Sequence, residues 1–544
     1  MILNKKTFLI LAVCSSLTGC SDSFLESTPV MSETESSFYK NDDQLFRALV
    51  ACYDVLQYSA DAPLSPNIPF GEIRSDNART GGGSDSDQPD MQDIESFTNT
   101  SVNTISEAAW KYKYKGIYRC NLVINSQYDS EEAKIYKAEA KFLRAWYHFD
   151  LMRYYGPCFI STESSYPDDF KFKRDTRENV NIQIEKDLLE AIPLLKETFP
   201  DNMKGRITKY AAKALLAKVY LYWADWANDD KLIFDKAIPL LEGNGEEKGV
   251  LNCGYYELFN DYSKLFAAFA ENNSESIFEV QRCTNAGWTD GNNKDGSEGN
   301  FYQRFLGPRQ LANHPEYRDG YGFLLPTQNL YDYFLPDDHV RRDATVFTYD
   351  DLVTIPNMSI TDPKKKVKWN TDSYGPDFEG YAQRKYPQFL SYEITGNFNF
   401  NQPGNERLIR LGEAYLMLAE AYLRGTKADE TKAKYYINEL RSKHVHADDG
   451  TYKTVDDLIS EYPDRFKSVI DVLWYERRCE LAGEGDRWFD LVRTGRAEEV
   501  MMPILRSLYG INSWDKKFNY LPIGSIEISN SGGSLTEYPD EAFE

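Results

Sequence analysis

The sequence is poor in histidine, in paired cysteine spacings and in positive charge. There are only five His among 544 residues, and none stands at a metal-ligand spacing with Cys or Glu, so no metal-site motif supports metal chemistry. The acidic loops show no EF-hand-like spacing either. His444 and His446 alternate and read as solvated loop residues. Eight Cys are present, but there is no CxxC. Cys14 and Cys20 belong to the N-terminal leader and its end. Cys52, Cys120, Cys158, Cys253, Cys283 and Cys479 are scattered, and buried free thiols are expected, with room for one disulfide. The formal charge is −23, and without residues 1–19, whose only charges are Lys5 and Lys6, it becomes −25. So acidic a chain is unsuited to nucleic acid or anionic lipid as a surface-wide partner. A nucleophile elbow and a phosphate loop are both absent, and no cofactor is implied.

What is present starts with material for a large core: 42% of residues are hydrophobic and 14% aromatic, with 38 Tyr. Tyr is rigid and amphipathic, good both for stacking on sugars or peptides and for filling helical bundles. The leader carries Lys5 and Lys6, a short apolar run from Phe8 to Val13, and then Leu17-Thr18-Gly19-Cys20. The run is too short to cross a bilayer, which makes residues 1–19 a signal peptide. Small residues just before Cys20 resemble a bacterial lipobox. Cleavage there would leave Cys20 lipidated, and several acyl chains at about 0.8 kcal/mol per buried CH2 anchor firmly. No later segment could span a membrane, so the protein is expected to be tethered rather than inserted.

The densest chemistry lies between Asp471 and Arg496, DVLWYERRCELAGEGDRWFDLVRTGR. Phe466, Val469, Ile470, Leu473 and Trp474 form one apolar helical stripe. It runs into Glu476, Arg477, Arg478, Glu480, Glu484, Asp486, Arg487, Asp490 and Arg493. Gly483 and Gly485 break the first helix, and Asp486 is placed to cap a second. Charges interleaved with Trp, Phe and Leu must be paired, and bidentate Arg–carboxylate bonds are the usual solution. The stretch reads as an ion-pair lattice locking helices together, or else as an acid/base site.

Taken in order, Ser32 to Tyr58 reads as a helix. Phe70 to Asp93 reads as a Gly/Asp/Ser-rich loop. Helical pairs follow over Ile105–Tyr155 and Asn179–Trp226, and another begins at Arg407 and continues from Ala433 to Leu440. Leu143/Ala145/His148, Leu215/Ala217/Tyr220 and Met417/Ala419/Tyr422 repeat one local pattern, a small residue for close packing and a ring for the next groove. This is the logic of tetratricopeptide hairpins, with irregular spacing. Trp110, Trp146, Trp223, Trp226 and Trp474 lie at helical spacings and read as core. Between Asn244 and Asn405 periodicity gives way to Gly, Asn and Pro. The expected architecture is mainly α. A helical-hairpin region spans 20–243 with a ligand-facing loop at 70–93, an irregular loop-rich region spans 244–405, and a helical region spans 406–544, all within one compact unit.

The run ERRCELAGEGDRWFDLVRTG resembles the C-terminal signature of the SusD/RagB family, the surface glycan-binding lipoproteins of Bacteroidetes. Cys479 departs from the Arg or polar residue more usual there. GEIRSDN, GFLLPTQNLYDYFLPDDHVRRDAT, RKYPQF and the closing Tyr520-Leu521-Pro522-Ile523 extend the resemblance over nearly the whole chain. It implies an outer-membrane, lipid-anchored cell-surface protein. Such a protein captures oligosaccharides and sits as a lid on a TonB-dependent, SusC-like transporter. It also implies that Asp76, Asn77 and Arg79 face the ligand; a carboxylate, an amide and a guanidinium suit sugar hydroxyls. Trp288, in a Gly/Asn context without apolar periodicity, is a candidate stacking platform, as are Tyr302, Tyr317 and Tyr321.

Two other readings compete. A helical glycosidase needs two carboxylates about 5–10 Å apart across a cleft; Asp76 or the Glu476/Glu480 pair are the candidates. A pure protein-interaction scaffold, or a peptide-binding lid, needs no sugar face. Exposure of the loop aromatics on one face with Asp76 and Arg79 favours sugar; burial of all of them favours the scaffold.

Overall fold

The computed structural model describes residues 39–57, 67–284, 299–355, 363–395, 399, 401–424, 427–446 and 450–543. Its frame is a set of helical hairpins: Thr104–Ile124 with Glu131–Tyr155, Arg177–Ala191 with Lys209–Ala227, and Leu411–Leu423 with Glu430–His444. Local chemistry sets their ends. Asn103, Ser130, Thr176 and Thr208 each accept from a backbone N–H of the first turn, which satisfies donors the helix itself cannot. The first hairpin is tight because Gly116 lies against the Tyr147 ring, where a Cβ would come within 2.5 Å. The Tyr147 hydroxyl passes on to donate to the Cys52 carbonyl on the preceding helix, Asp42–Asp54 (2.7 Å). All three of the small-residue-and-ring triplets are buried.

Trp110 and Trp146 are buried, and Trp223, Trp226 and Trp474 pack half-buried against the same core. Cys52, Cys120, Cys158, Cys253 and Cys479 are buried free thiols and Cys283 is an exposed one. No helix among the described residues is long and apolar enough to cross a membrane.

Two segments depart from the sequence reading. The stretch expected as a loop at 70–93 is ordered: helix Asn67–Ile73, strand β1 Ala78–Gly81 and helix Pro89–Glu95. β1 pairs antiparallel with β4, Phe323–Pro326. Pairing with a strand so far along the chain is invisible to local composition. The helix expected to begin at Arg407 begins at Leu411; Glu406–Arg410 is strand β8, paired with β2, Ser276–Val280. Its alternation of charged and apolar residues is satisfied by a sheet partner and ion pairs.

The irregular region from 244 to 405 is not loose packing on the scaffold. Tyr317, Leu325, Phe347, Leu352, Trp369, Tyr374 and Phe389 belong to a second hydrophobic core. Two short strand pairs frame it, β3 Leu311–Ala312 with β6 Lys368–Trp369 and β5 Val346–Phe347 with β7 Ala382–Gln383.

Candidate functional site

Asp471–Arg496 resolves into helices Val469–Leu481 and Arg487–Arg493, and its charges form a lattice. Arg477 grips Asp490 (2.7 and 3.0 Å). Arg493 reaches Glu420 (2.6 and 2.8 Å), Asp490 (2.9 Å) and Asp225 (3.0 Å). Arg410 binds Glu275 (2.8 Å), Glu480 (2.6 Å) and Glu484 (2.7 Å). Arg341 binds Asp338 (2.5 Å), Glu476 (2.8 Å) and Glu480 (3.1 Å). Glu476 and Glu480, the candidate catalytic pair, are therefore fully buried and saturated with cations. Asp486 precedes the second helix but its side chain does not cap it; it pairs with Lys218 at 2.8 Å.

His444 is the clearest correction. It is buried, not solvated, with Nε2 3.2 Å from Glu275 and Nδ1 2.9 Å from Glu480. His446 is half-buried. Burial alone would lower His444, but Glu480 and Glu275 overrule it and push it up to about 9. The three groups could in geometry hold a cation. Arg410, already bonded to both carboxylates, fits a charged imidazolium there and opposes a metal.

The lattice also reaches the ligand-facing segment predicted at 70–93, from beneath. Asp76 and Asn77 are buried, which corrects their assignment as sugar contacts. Arg487 forks onto the Asp76 carboxylate (2.8 and 2.9 Å) and Arg478 lies 3.0 Å from it. Burial would raise the Asp76 carboxyl; these two guanidinium groups hold it far below the usual carboxylate range instead. Arg478 further donates to Asn77 Oδ1 (2.9 Å) and Asn329 Oδ1 (2.7 Å). Thr327 donates to the Asp76 carbonyl (2.8 Å) through its hydroxyl and to the Asn77 carbonyl (3.0 Å) through its N–H. Nearby, Gly71 lies on the backbone of Gly485, where a Cβ would fall 1.8 Å from the carbonyl oxygen. The Gly485 N–H donates to Glu72 (2.8 Å).

On this base stands a polar, half-buried face. Arg79 reaches Glu379 (3.2 Å) and Glu95 (3.5 Å). The Gln328 N–H donates to the other Glu379 oxygen (2.6 Å), and the Tyr381 hydroxyl donates to the Gln328 side-chain oxygen (2.9 Å). Tyr381 and Tyr331 stack at 4.7 Å and 23°, with the Arg342 guanidinium 4.9 Å from the Tyr331 ring. Both rings are half-buried, and Gln328 and Glu379 are exposed. Asp377 lies within electrostatic reach of Arg79 and Glu379. Burial, helped by Asp85 and Glu379 and opposed by Arg79, raises its carboxyl.

The remaining sequence candidates divide. Tyr302 is buried in the main core and Tyr317 in the second, against Phe347 and Phe389; neither presents a ring to a ligand. Aromatic content near the LLPT turn misled because that turn needs rings to build its own core. Tyr321 is half-buried against Phe301 and Arg304. Trp288 and Cys20 lie outside the described residues. Tyr331 and Tyr381 were missed. The signal for Tyr331 was present: Thr327 caps the short helix Gln328–Tyr333, which faces Tyr331 away from the buried Leu330.

Two family models match the chain. One, described as starch-binding and associating with the outer membrane, matches residues 23–221, and the other, the SusD family, matches residues 274–539. The chain belongs to the SusD/RagB family. A SusD-like protein of Bacteroides ovatus is 26% identical over 520 residues, covering 90% of this chain and 83% of the relative. Among solved structures, a laminarin-binding SusD-like protein is 28% identical with a TM-score of 0.73, covering 92% of this chain and all of that one. Surface glycan-binding protein A from Bacteroides thetaiotaomicron, in complex with laminarihexaose, superposes with a TM-score of 0.75 at 23% identity, over 91% of this chain and 99% of that one.

Proposed function

We propose that this SusD protein is a lipid-anchored cell-surface receptor that captures oligosaccharides and delivers them to a SusC-like TonB-dependent transporter. The observation that carries the reading is the stacked Tyr331–Tyr381 pair beside the linked polar row of Arg79, Glu379 and Gln328. Aromatic rings take the C–H faces of sugars, while guanidinium, carboxylate and amide groups meet hydroxyl donors and acceptors. The likeness to a laminarin-binding SusD-like protein supports a β-glucan as the first ligand to try. Lipidation at Cys20 supplies the anchor, and Trp288 is a further candidate platform from the sequence.

The test is a glycan screen of the protein lacking residues 1–20, followed by calorimetry on Tyr381→Ala, Arg79→Ala and Trp288→Ala. Saturable binding that falls in Tyr381→Ala and Arg79→Ala, without release of reducing ends, is the expected result. Silence across the screen overturns the reading in favour of a protein-interaction scaffold. Released sugar overturns it in favour of an enzyme. Co-purification with a transporter, lost on Cys20→Ala, checks delivery and anchoring together.

A further inference from the structure

Where helix Arg177–Ala191 begins and helix Lys209–Ala227 ends, the C-terminal tail borders an open cavity of about 540 Å³. It shares no residue with the Tyr331–Tyr381 face. Trp223 and Trp226 line it from one helix, Arg177 and Asn181 from the other, and Tyr520 and Glu541 from the tail. Its size lies in the range of small-molecule sites, about 300–1,000 Å³.

Asn181 is fully buried, yet neither its amide nitrogen nor its amide oxygen has a hydrogen-bond partner among the described residues. A buried amide left this way has lost its water without gaining a hydrogen bond in return. Its place on the wall of a cavity gives those atoms somewhere to be satisfied. Arg177 is held in register beside it: Nε and Nη2 bind Glu541, Nη2 also meets the Tyr520 hydroxyl at 3.4 Å, and the guanidinium lies 3.9 Å from the Trp226 ring centre. Its Nη1 is buried without a hydrogen-bond partner among the described residues.

The wall therefore offers an unused donor and acceptor on one amide, an unused cationic donor, and two half-buried indoles. A pair of neighbouring hydroxyls on a pyranose takes both an acceptor and a donor at once, and its C–H face takes an indole. Three carboxylates on the lining, Glu178, Asp229 and Glu541, against the single guanidinium of Arg177 disfavour an anionic sugar. We infer that this cavity is a second saccharide site, taking one or two rings of a neutral glycan. The choice of ligand class rests on the proposed glycan-binding function, but the site itself does not depend on the Tyr331–Tyr381 face.

The experiment is 19F NMR of the protein lacking residues 1–20 and labelled with 5-fluorotryptophan, its resonances assigned with Trp223→Phe and Trp226→Phe. The probes are glucose, galactose, mannose, xylose, cellobiose and laminaribiose. At least one sugar is expected to shift the Trp223 or Trp226 resonance saturably, both in the unaltered protein and in Tyr381→Ala. In Asn181→Leu, which keeps the buried volume, affinity at that resonance is expected to fall about fivefold or more. No shift with any sugar overturns the inference, as does a shift that Asn181→Leu leaves unchanged. A response to n-butylammonium alone overturns it in favour of a basic side chain from a partner protein. Failure of Tyr381→Ala to weaken glycan binding, with the indole shifts intact, counts against the first face and not against this cavity.

Discussion

The Arg478 guanidinium lies 3.0 Å from the Asp76 carboxylate, and both side chains are buried. One contact thus joins the buried, charge-rich helix Val469–Leu481 to the floor beneath the proposed binding face. Losing Asp76 strands the buried guanidinium groups of Arg478 and Arg487, and losing Arg478 removes one of the two counter-charges on Asp76. Arg478→Ala or Asp76→Ala is expected to lower unfolding free energy by about 3–5 kcal/mol, read from urea titrations. Glycan binding falls with it, because Arg478 also holds Asn77 and Asn329 in place.

Tyr381→Ala should behave in the opposite way. Tyr381 is half-buried and its hydroxyl bonds an exposed glutamine. An aromatic stacking contact is worth roughly 0.5–1.5 kcal/mol, so affinity for the best glycan should drop about two- to tenfold while Tm is unchanged. Calorimetry and a thermal melt on one sample separate the two effects.

His444 makes stability depend on alkaline pH. Its folded value of about 9 lies above the 6.5 of a free imidazole because Glu480 and Glu275 outweigh burial. Protonation therefore favours the folded state. The contribution is complete below pH 6.5 and disappears as pH rises through 9. That gap corresponds to about 3 kcal/mol. Urea midpoints should fall between pH 6.5 and 9.5, and His444→Gln should flatten that part of the profile.

Gly71→Ala tests the contact between Gly71 and Gly485. A methyl group there would overlap the Gly485 carbonyl, and neither backbone can move without disturbing the Gly485–Glu72 bond. A loss of about 3 kcal/mol or more is expected, with poor yield of folded protein. Gly254→Ala serves as the control: its φ of +86° carries the strain of a left-handed backbone, but no atom lies within 4 Å of the added Cβ.

The helical hairpins and the ion-pair lattice were legible because their signals are local: caps, periodicity, and charges crowded among aromatics. Asp76 and His444 were not, because what decides them comes from elsewhere. Asp76 meets arginines some four hundred residues on. His444 is placed by Glu275 and Glu480, the first of which lies on a different part of the chain altogether. The face itself was half legible. Arg79 lies in the segment the sequence singled out, whereas Tyr331 and Tyr381 stand fifty positions apart and meet only where both pack against the main core.

The Arg478–Asn77 bond spans 401 positions, which constrains when the binding surface can come into being. A chain emerging from its amino end carries Asp76 long before it carries Arg478 or Arg487. Until those arginines arrive, the carboxylate has no counter-charge and the segment has no reason to leave water. Closing so long a loop is slow relative to local helix formation. The first hairpins can form early, but the ligand face matures only when nearly the whole polypeptide is present. A truncated export product would then be helical and still unable to hold a sugar.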